Sequence, residues 1–232
     1  MSFNKIGIIG AMDEEIELLH KHATVTSEIK KAGITYYEGV LNGKNVIFCK
    51  SGVGKVNAAV CTQLLIDLGA DCILFTGVAG ALDPRLQIGD IVVSTSCIQH
   101  DMDCSALGYE RGVIPYHPCS EFNAESSLVE LAAAASERLF SGHFVLGKVL
   151  SGDQFIANRE TVQMLHESLQ GACAEMEGAS VAQVCDMNGI PFVIIRSMSD
   201  QADGSAHVNF AEFTIKAAHN SYAIIDDMVK HI

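Results

Sequence analysis

Short, β-branched apolar runs recur along this chain at residues 5–10, 45–50, 72–77, 90–94, 145–151 and 192–197. Several are apolar almost throughout, the pattern of strands covered on both faces of a sheet. Between them, residues 56–69, 126–140 and 178–189 repeat their apolar positions with helical spacing. Strand and helix patterns in alternation predict an α/β fold, with helices on both faces of a parallel or mixed sheet. Residues 34–50 alternate in their first half and turn at Asn42-Gly43, a dipeptide that supplies the positive φ values of a tight hairpin. An antiparallel hairpin is therefore expected to interrupt the parallel pattern. The longest irregular stretch, residues 100–122, contains Gly108, Pro115 and Pro118 and is expected to be a functional or interfacial loop. No repeat or linker divides the chain, so residues 1–232 are read as one domain.

Composition narrows the function classes. At 49% hydrophobic and 19% charged residues, 232 residues can build a core without disulfides or structural metal. A net charge of −13 repels phosphate backbones and anionic membranes, which disfavours nucleic acid and membrane surfaces as partners. With no signal-peptide layout and no apolar run long enough to span a bilayer, a cytoplasmic location is expected. The eight cysteines are never closer than seven apart, which excludes a CxxC pair, and they are read as reduced core thiols.

Small and polar residues cluster where the strands are expected to end, at 10–15, 51–55, 77–80 and 199–200. In open α/β sheets, ligands bind in the crevice outside those ends. SGVGKVN lacks the third glycine of a dinucleotide loop. Gly142 to Lys148 has the spacing of a phosphate loop, but Val149 replaces the Mg²⁺-binding hydroxyl. No GxSxG is present. What stands out is Ala174-Glu175-Met176-Glu177-Gly178, two carboxylates on alternate residues before a helix. Taken singly, Glu177 reads as a first-turn helix acid, Asp200 as an N-cap and Glu15 as an exposed first-turn acid. Together, three carboxylates past three strands would repel one another and raise at least one pKa. Such a group suits acid–base work beside a developing cation, as in glycosidic-bond cleavage; it also suits a divalent metal.

Eight motifs in order, KIGIIGAMDEE, SGVGKVNAA, TGVAGAL, GDIVVS, HDMDCSALGY, SGDQFI, AEMEGAS and RSMSDQAD, cover nearly the whole chain. In these motifs the chain resembles the 5′-methylthioadenosine/S-adenosylhomocysteine nucleosidases of the nucleoside phosphorylase superfamily. The resemblance implies one α/β domain around a mixed, barrel-like sheet, working as a homodimer on a small adenine nucleoside without metal or cofactor. It implies that Glu15 deprotonates the attacking water and that Asp200 protonates N7 of the leaving adenine. It further implies that Glu177, with Glu175 and Met176 beside it, grips the ribose, Phe155 stacks on the purine and the Ile156 backbone reads its edge. Ser199 and Arg196 would support Asp200 and the water. Val78, Ala79 and Gly80 would form the strand-end loop, and Met12 and Phe210 would keep the pocket dry. Leu107 and Pro115 match positions that wall the 5′-alkylthio group from the partner subunit.

Three departures bear on substrate choice. Phe75 stands where many phosphate-using relatives carry arginine, which favours water as nucleophile over the phosphate of a purine nucleoside phosphorylase. Val78 replaces a serine common in nucleosidases, and the GVAG form also occurs in relatives that cleave 6-amino-6-deoxyfutalosine. EMEGAS in place of EMEATA keeps both glutamates.

Overall fold

A computed structural model describes residues 3–201 and 206–232, with side chains described outside 206–209. The first expected run forms β1 (Ile6–Gly10), and the others form β4 (Lys44–Lys50), β5 (Cys72–Ala81), β6 (Ile91–Gln99), β8 (Phe144–Ser151) and β10 (Phe192–Asp200). Every residue of β1, β5 and β10 is buried, which is why their sequences show no alternation. The expected hairpin joins β3 (Ile34–Leu41) to β4 in antiparallel register, with Asn42 and Gly43 at φ of 51° and 79°. Sequence patterning missed β2 (Thr24–Lys31), because this outermost strand is mostly exposed and carries polar side chains. It also missed β7 (Glu121–Asn123), three residues long, and left β9 (Gly171–Glu175) as a strand-like fragment before the acidic motif.

The sheet is mixed. β5 pairs with β10, β10 with β6, β6 with β8, β8 with β9, and β9 returns to β5, so five strands close into a barrel. From β5 the sheet continues outward through β1, β4, β3 and β2. Closure leaves the barrel strands without a free edge and fixes their register against each other. This is the expected barrel-like α/β class.

Helices cover both faces. On one side α2 (Lys55–Asp67) and α5 (Gly178–Asn188) bury Ala58, Cys61, Leu65, Val181, Ala182 and Cys185 in a core with Ile73, Phe75 and Ile194. On the other, α1 (Asp13–His22), α3 (Ser126–Phe140) and α6 (Ala206–His231) contribute Ile16, Leu19, Leu128, Ala132, Ile224, Ile225 and Met228. Each large side chain so buried contributes roughly 1.5–3 kcal/mol. α4 (Arg159–Leu169) closes a smaller core through Leu165. α6 was not expected, although its buried Ala217, Ala218, Ser221, Tyr222, Ile225, Met228 and Val229 repeat with a helical period. Residues 100–122 are irregular as expected, apart from a single 3₁₀ turn at Ser105–Leu107 and the start of β7. The cysteines are free thiols, six of them buried. Among the described residues no helix is long and apolar enough to cross a membrane.

The structure corrects the strand ends. Residues 77–80 are not a loop beyond β5 but its continuation, and Ser199 and Asp200 are the last residues of β10, at a register shift against Ala79 and Gly80. The barrel supplies the reason: two strands that pair across the closing seam keep each other extended past the point where an open sheet would release them.

Candidate active site

At the carboxyl end of these strands lies a cavity of about 310 Å³. Its wall is largely apolar, from Met12, Val53, Val78, Phe155, Met176 and Phe210, and its polar side chains include Glu15, Glu175, Glu177, Ser199 and Asp200. The strand-end residues Ala79 and Gly80 and the loop residues Gln154 and Ile156 complete much of the remainder. The three carboxylates expected from three separate strand ends therefore meet in one site.

Glu15 gets there through helix capping. β1 ends at Gly10, Met12 is the N-cap of α1, and Glu15 at the third helical position turns back so that Oε2 accepts the N–H groups of Ala11 and Met12, the latter at 3.0 Å. Its Oε1 accepts the Val78 N–H at 3.1 Å, so β1, α1 and β5 converge on one carboxylate. It is 4% exposed, not the solvated first-turn acid that its position alone predicts. Burial raises its pKa, opposed by the Arg196 charge and the three N–H donors. Val78 also loses its apparent defect here. Its contribution is the backbone N–H, which valine keeps when it replaces serine.

Glu177 is the N-cap of α5 rather than a first-turn residue, and its Oε1 accepts the Gly54 N–H at 2.7 Å from the loop before α2. Its pKa is pushed up to about 8, mainly by burial and next by the charge of Glu175, with the Gly54 N–H and Arg196 opposing. Asp200 is buried at the end of β10, where the Ser199 hydroxyl donates to Oδ2 at 2.9 Å.

Two expected site residues have a different task. Arg196 does not line the cavity; it lies behind it, 1% exposed, with its guanidinium 3.9 Å above the Phe75 ring. Its Nη2 donates to Glu175 Oε2 at 2.6 Å. Glu175 also accepts from the Ser151 hydroxyl and from the N–H groups of Glu177 and Gly178. A carboxylate so occupied anchors the wall and keeps little capacity for a ribose hydroxyl. Gly77 must be glycine for the same reason: a Cβ there would sit 2.6 Å from Glu15 Oε1 and 2.8 Å from Arg196 Nη1.

Phe155 is half exposed at the cavity and meets Phe210 edge to face, ring centroids 5.6 Å apart. Leu107 and Pro115 do not line this chain's cavity; Leu107 is 71% exposed. Sequence reading did not single out Ala11, Val53, Gln154 and Ala174 as lining residues, though each lies inside a named motif. Among the described residues no three His, Cys, Asp or Glu side chains cluster as a metal site, and no Lys or Arg lines the cavity.

A closed barrel with buried acids at its strand ends and an apolar, aromatic-walled cavity defines a class suited to general acid–base chemistry on a flat heterocycle. The sequence model of the Phosphorylase superfamily matches residues 5–230. A 5′-methylthioadenosine/S-adenosylhomocysteine nucleosidase of Staphylococcus carnosus is 42% identical over 230 residues, covering 98% of this chain and 100% of that protein. The Neisseria meningitidis nucleosidase of the same name, in complex with methylthio-immucillin-A, superposes with a TM-score of 0.94 at 38% identity, covering 99% of this chain and all of that one. Futalosine hydrolase of Helicobacter pylori superposes equally well, TM-score 0.94, at 35% identity over 99% of this chain and 98% of its own. The chain belongs to the phosphorylase superfamily and, within it, to the 5′-methylthioadenosine/S-adenosylhomocysteine nucleosidase family.

Proposed function

We propose that this protein, as one nucleosidase domain spanning residues 1–232, hydrolyses the N-glycosidic bond of 5′-methylthioadenosine and S-adenosylhomocysteine, releasing adenine and the thioribose product. The observation that carries this reading is the convergence of Glu15, Glu177 and Asp200 on one apolar cavity with Phe155 at its wall. Phe155 stacks on the purine and the Ile156 backbone reads its edge. Asp200, oriented by Ser199, protonates N7, because adenine leaves poorly as an anion and a proton delivered in the transition state lowers the barrier selectively. Glu177 holds the ribose hydroxyls and, when ionised, favours the oxocarbenium-like state in a site of low polarity. Glu15 takes the proton of the attacking water. Its carboxylate is held by three N–H groups, so the base is already in place before substrate arrives.

Water rather than phosphate is the nucleophile. A phosphate dianion would need a cation, yet no Lys or Arg lines the cavity among the described residues, and Arg196 is committed to Glu175 and stacked on Phe75. The second reading, hydrolysis of 6-amino-6-deoxyfutalosine, has its own support in the similarity to the Helicobacter pylori futalosine hydrolase and in Val78. One assay separates these: adenine release from 5′-methylthioadenosine, S-adenosylhomocysteine, deoxyadenosine and aminofutalosine, each with and without phosphate. Rates independent of phosphate and fastest on the thioethers are expected. Phosphate dependence with ribose-1-phosphate formation, or preference for aminofutalosine, would replace the reading.

The active form is a homodimer in which residues 100–118 of a second copy close the 5′ end of the site. Supporting this, Leu107 and Tyr116 of that segment are largely exposed, as are Val56 at the start of α2 and Met187 at the end of α5. Large apolar side chains left in solvent on an irregular segment suit an interface with a second copy.

A further inference from the structure

The turn at Gly54-Lys55 makes two consecutive backbone donations to two different walls of the site. Gly54 N–H goes to Glu177 Oε1 at 2.7 Å, and Lys55 N–H goes to Asp153 Oδ1 at 2.8 Å. Asp153 opens the segment that carries Gln154, Phe155 and Ile156 into the cavity. Gly54 has φ of +98°, and a Cβ there would lie 3.1 Å from Asp153 Oδ1, so the turn and the carboxylate are in close contact. The Lys55 side chain then closes a ring: Nζ pairs with Asp101 Oδ1 at 2.6 Å and donates to Gln99 Oε1 at 3.0 Å, while Asp101 Oδ2 accepts the Asp153 N–H at 3.0 Å. Both partners of the ion pair are only 18% exposed. The Ser180 hydroxyl donates to Lys55 O at 2.8 Å and fixes the same turn to α5, which Glu177 caps.

Three chain segments, 51–55, 99–101 and 152–156, are thus clasped by one lysine and two aspartates, none of which lines the cavity. We propose that Lys55, Asp101 and Asp153 are positioning residues that set the spacing between the ribose-holding Glu177 and the purine-stacking Phe155. This deepens the nucleosidase reading and rests on it. Its physical content is registration. A ligand that occupies both subsites needs their spacing correct to a fraction of an ångström, whereas a ligand that fills only one does not. Loss of the clasp therefore penalises the nucleoside and spares the free base.

The experiment compares 5′-methylthioadenosine turnover with inhibition by adenine in Lys55→Met, Asp101→Asn and the charge-preserving Lys55→Arg. In Lys55→Met, kcat/KM is expected to fall about 10-fold or more while the adenine inhibition constant stays within about twofold, in line with the roughly hundredfold cost of a 1 Å misplacement. Asp101→Asn should show a smaller split in the same direction, and Lys55→Arg should restore near wild-type values. Parallel loss of nucleoside turnover and adenine binding, no change in either, or failure of both Lys55→Met and Asp101→Asn to fold would overturn the proposal. Wild-type protein that neither cleaves nor binds adenine nucleosides would instead overturn the nucleosidase reading, an outcome visible before any variant is made.

Discussion

In the proposed reaction Asp200 carries the leaving-group step, so Asp200→Asn keeps the shape and the Ser199 contact but has no proton to give. Turnover is expected to fall by about 10²–10⁴-fold or more with an unchanged melting temperature, and activity near wild type in the folded variant would remove Asp200 from the mechanism. Glu15→Gln should bind a transition-state-like adenine nucleoside analogue while hydrolysing substrate slowly; collapse of substrate affinity would make Glu15 a binding group. Because burial raises the Glu15 pKa and the base must be ionised, the acidic limb of kcat/KM should lie above the ordinary glutamate range. Glu177 has a consequence for stability. Its folded pKa of about 8 exceeds that of an unfolded glutamate, so the folded state binds the extra proton and stability falls as pH rises to about 8, levelling off above it. Urea unfolding should show lower stability at pH 8 than at pH 6, by a difference that is much reduced in Glu177→Gln. An identical slope in both proteins would argue against a raised Glu177 pKa.

At the scale of elements, β5 ties the site together: its Val78 N–H is one of the three that hold the Glu15 carboxylate, and its seam with β10 places Asp200. Gly77 is the point where β5 passes between Glu15 and Arg196. Gly77→Ala is expected to fold, since strand backbone tolerates alanine there, but to displace the base or the guanidinium and lower kcat/KM at least about 10-fold. Wild-type kinetics in that variant would show that neither group needs its present place. β5 is held on its other side by α6, where the buried Ser221 hydroxyl accepts the Gly77 N–H at 2.9 Å and meets Thr76 Oγ1 at 2.7 Å. The helix that sequence patterning overlooked therefore stands directly behind the catalytic strand.

For the whole molecule, the expectation concerns the second copy. Leu107→Asp places a charge where the dimer would desolvate it, so sedimentation should show a dissociation constant raised at least about 10-fold. KM should rise more for 5′-thioether substrates than for adenosine, whose 5′ end is a hydroxyl. An active monomer with unchanged thioether preference would defeat both halves of the expectation.

Much of this was legible in residue order. Apolar runs located the six principal strands because strands buried on both faces must be apolar throughout, and Asn42-Gly43 marked its hairpin because few residues adopt positive φ cheaply. Three acids expected near the ends of separate strands brought Glu15, Glu177 and Asp200 forward together as candidates, and all three line the cavity. What residue order could not hold is whatever depends on closure. The seam between β5 and β10 decides that residues 77–80 and 199–200 are strand rather than loop. Packing against β5 decides that Glu15 is buried rather than solvated. Pairing with Arg196 turns Glu175 from a ligand group into an anchor. Each is a contact between residues tens of positions apart, formed only once the barrel shuts. Local pattern reports what a segment buries; which carboxylate becomes base, ribose holder or anchor is set by the N–H groups and charges that distant strands bring to it.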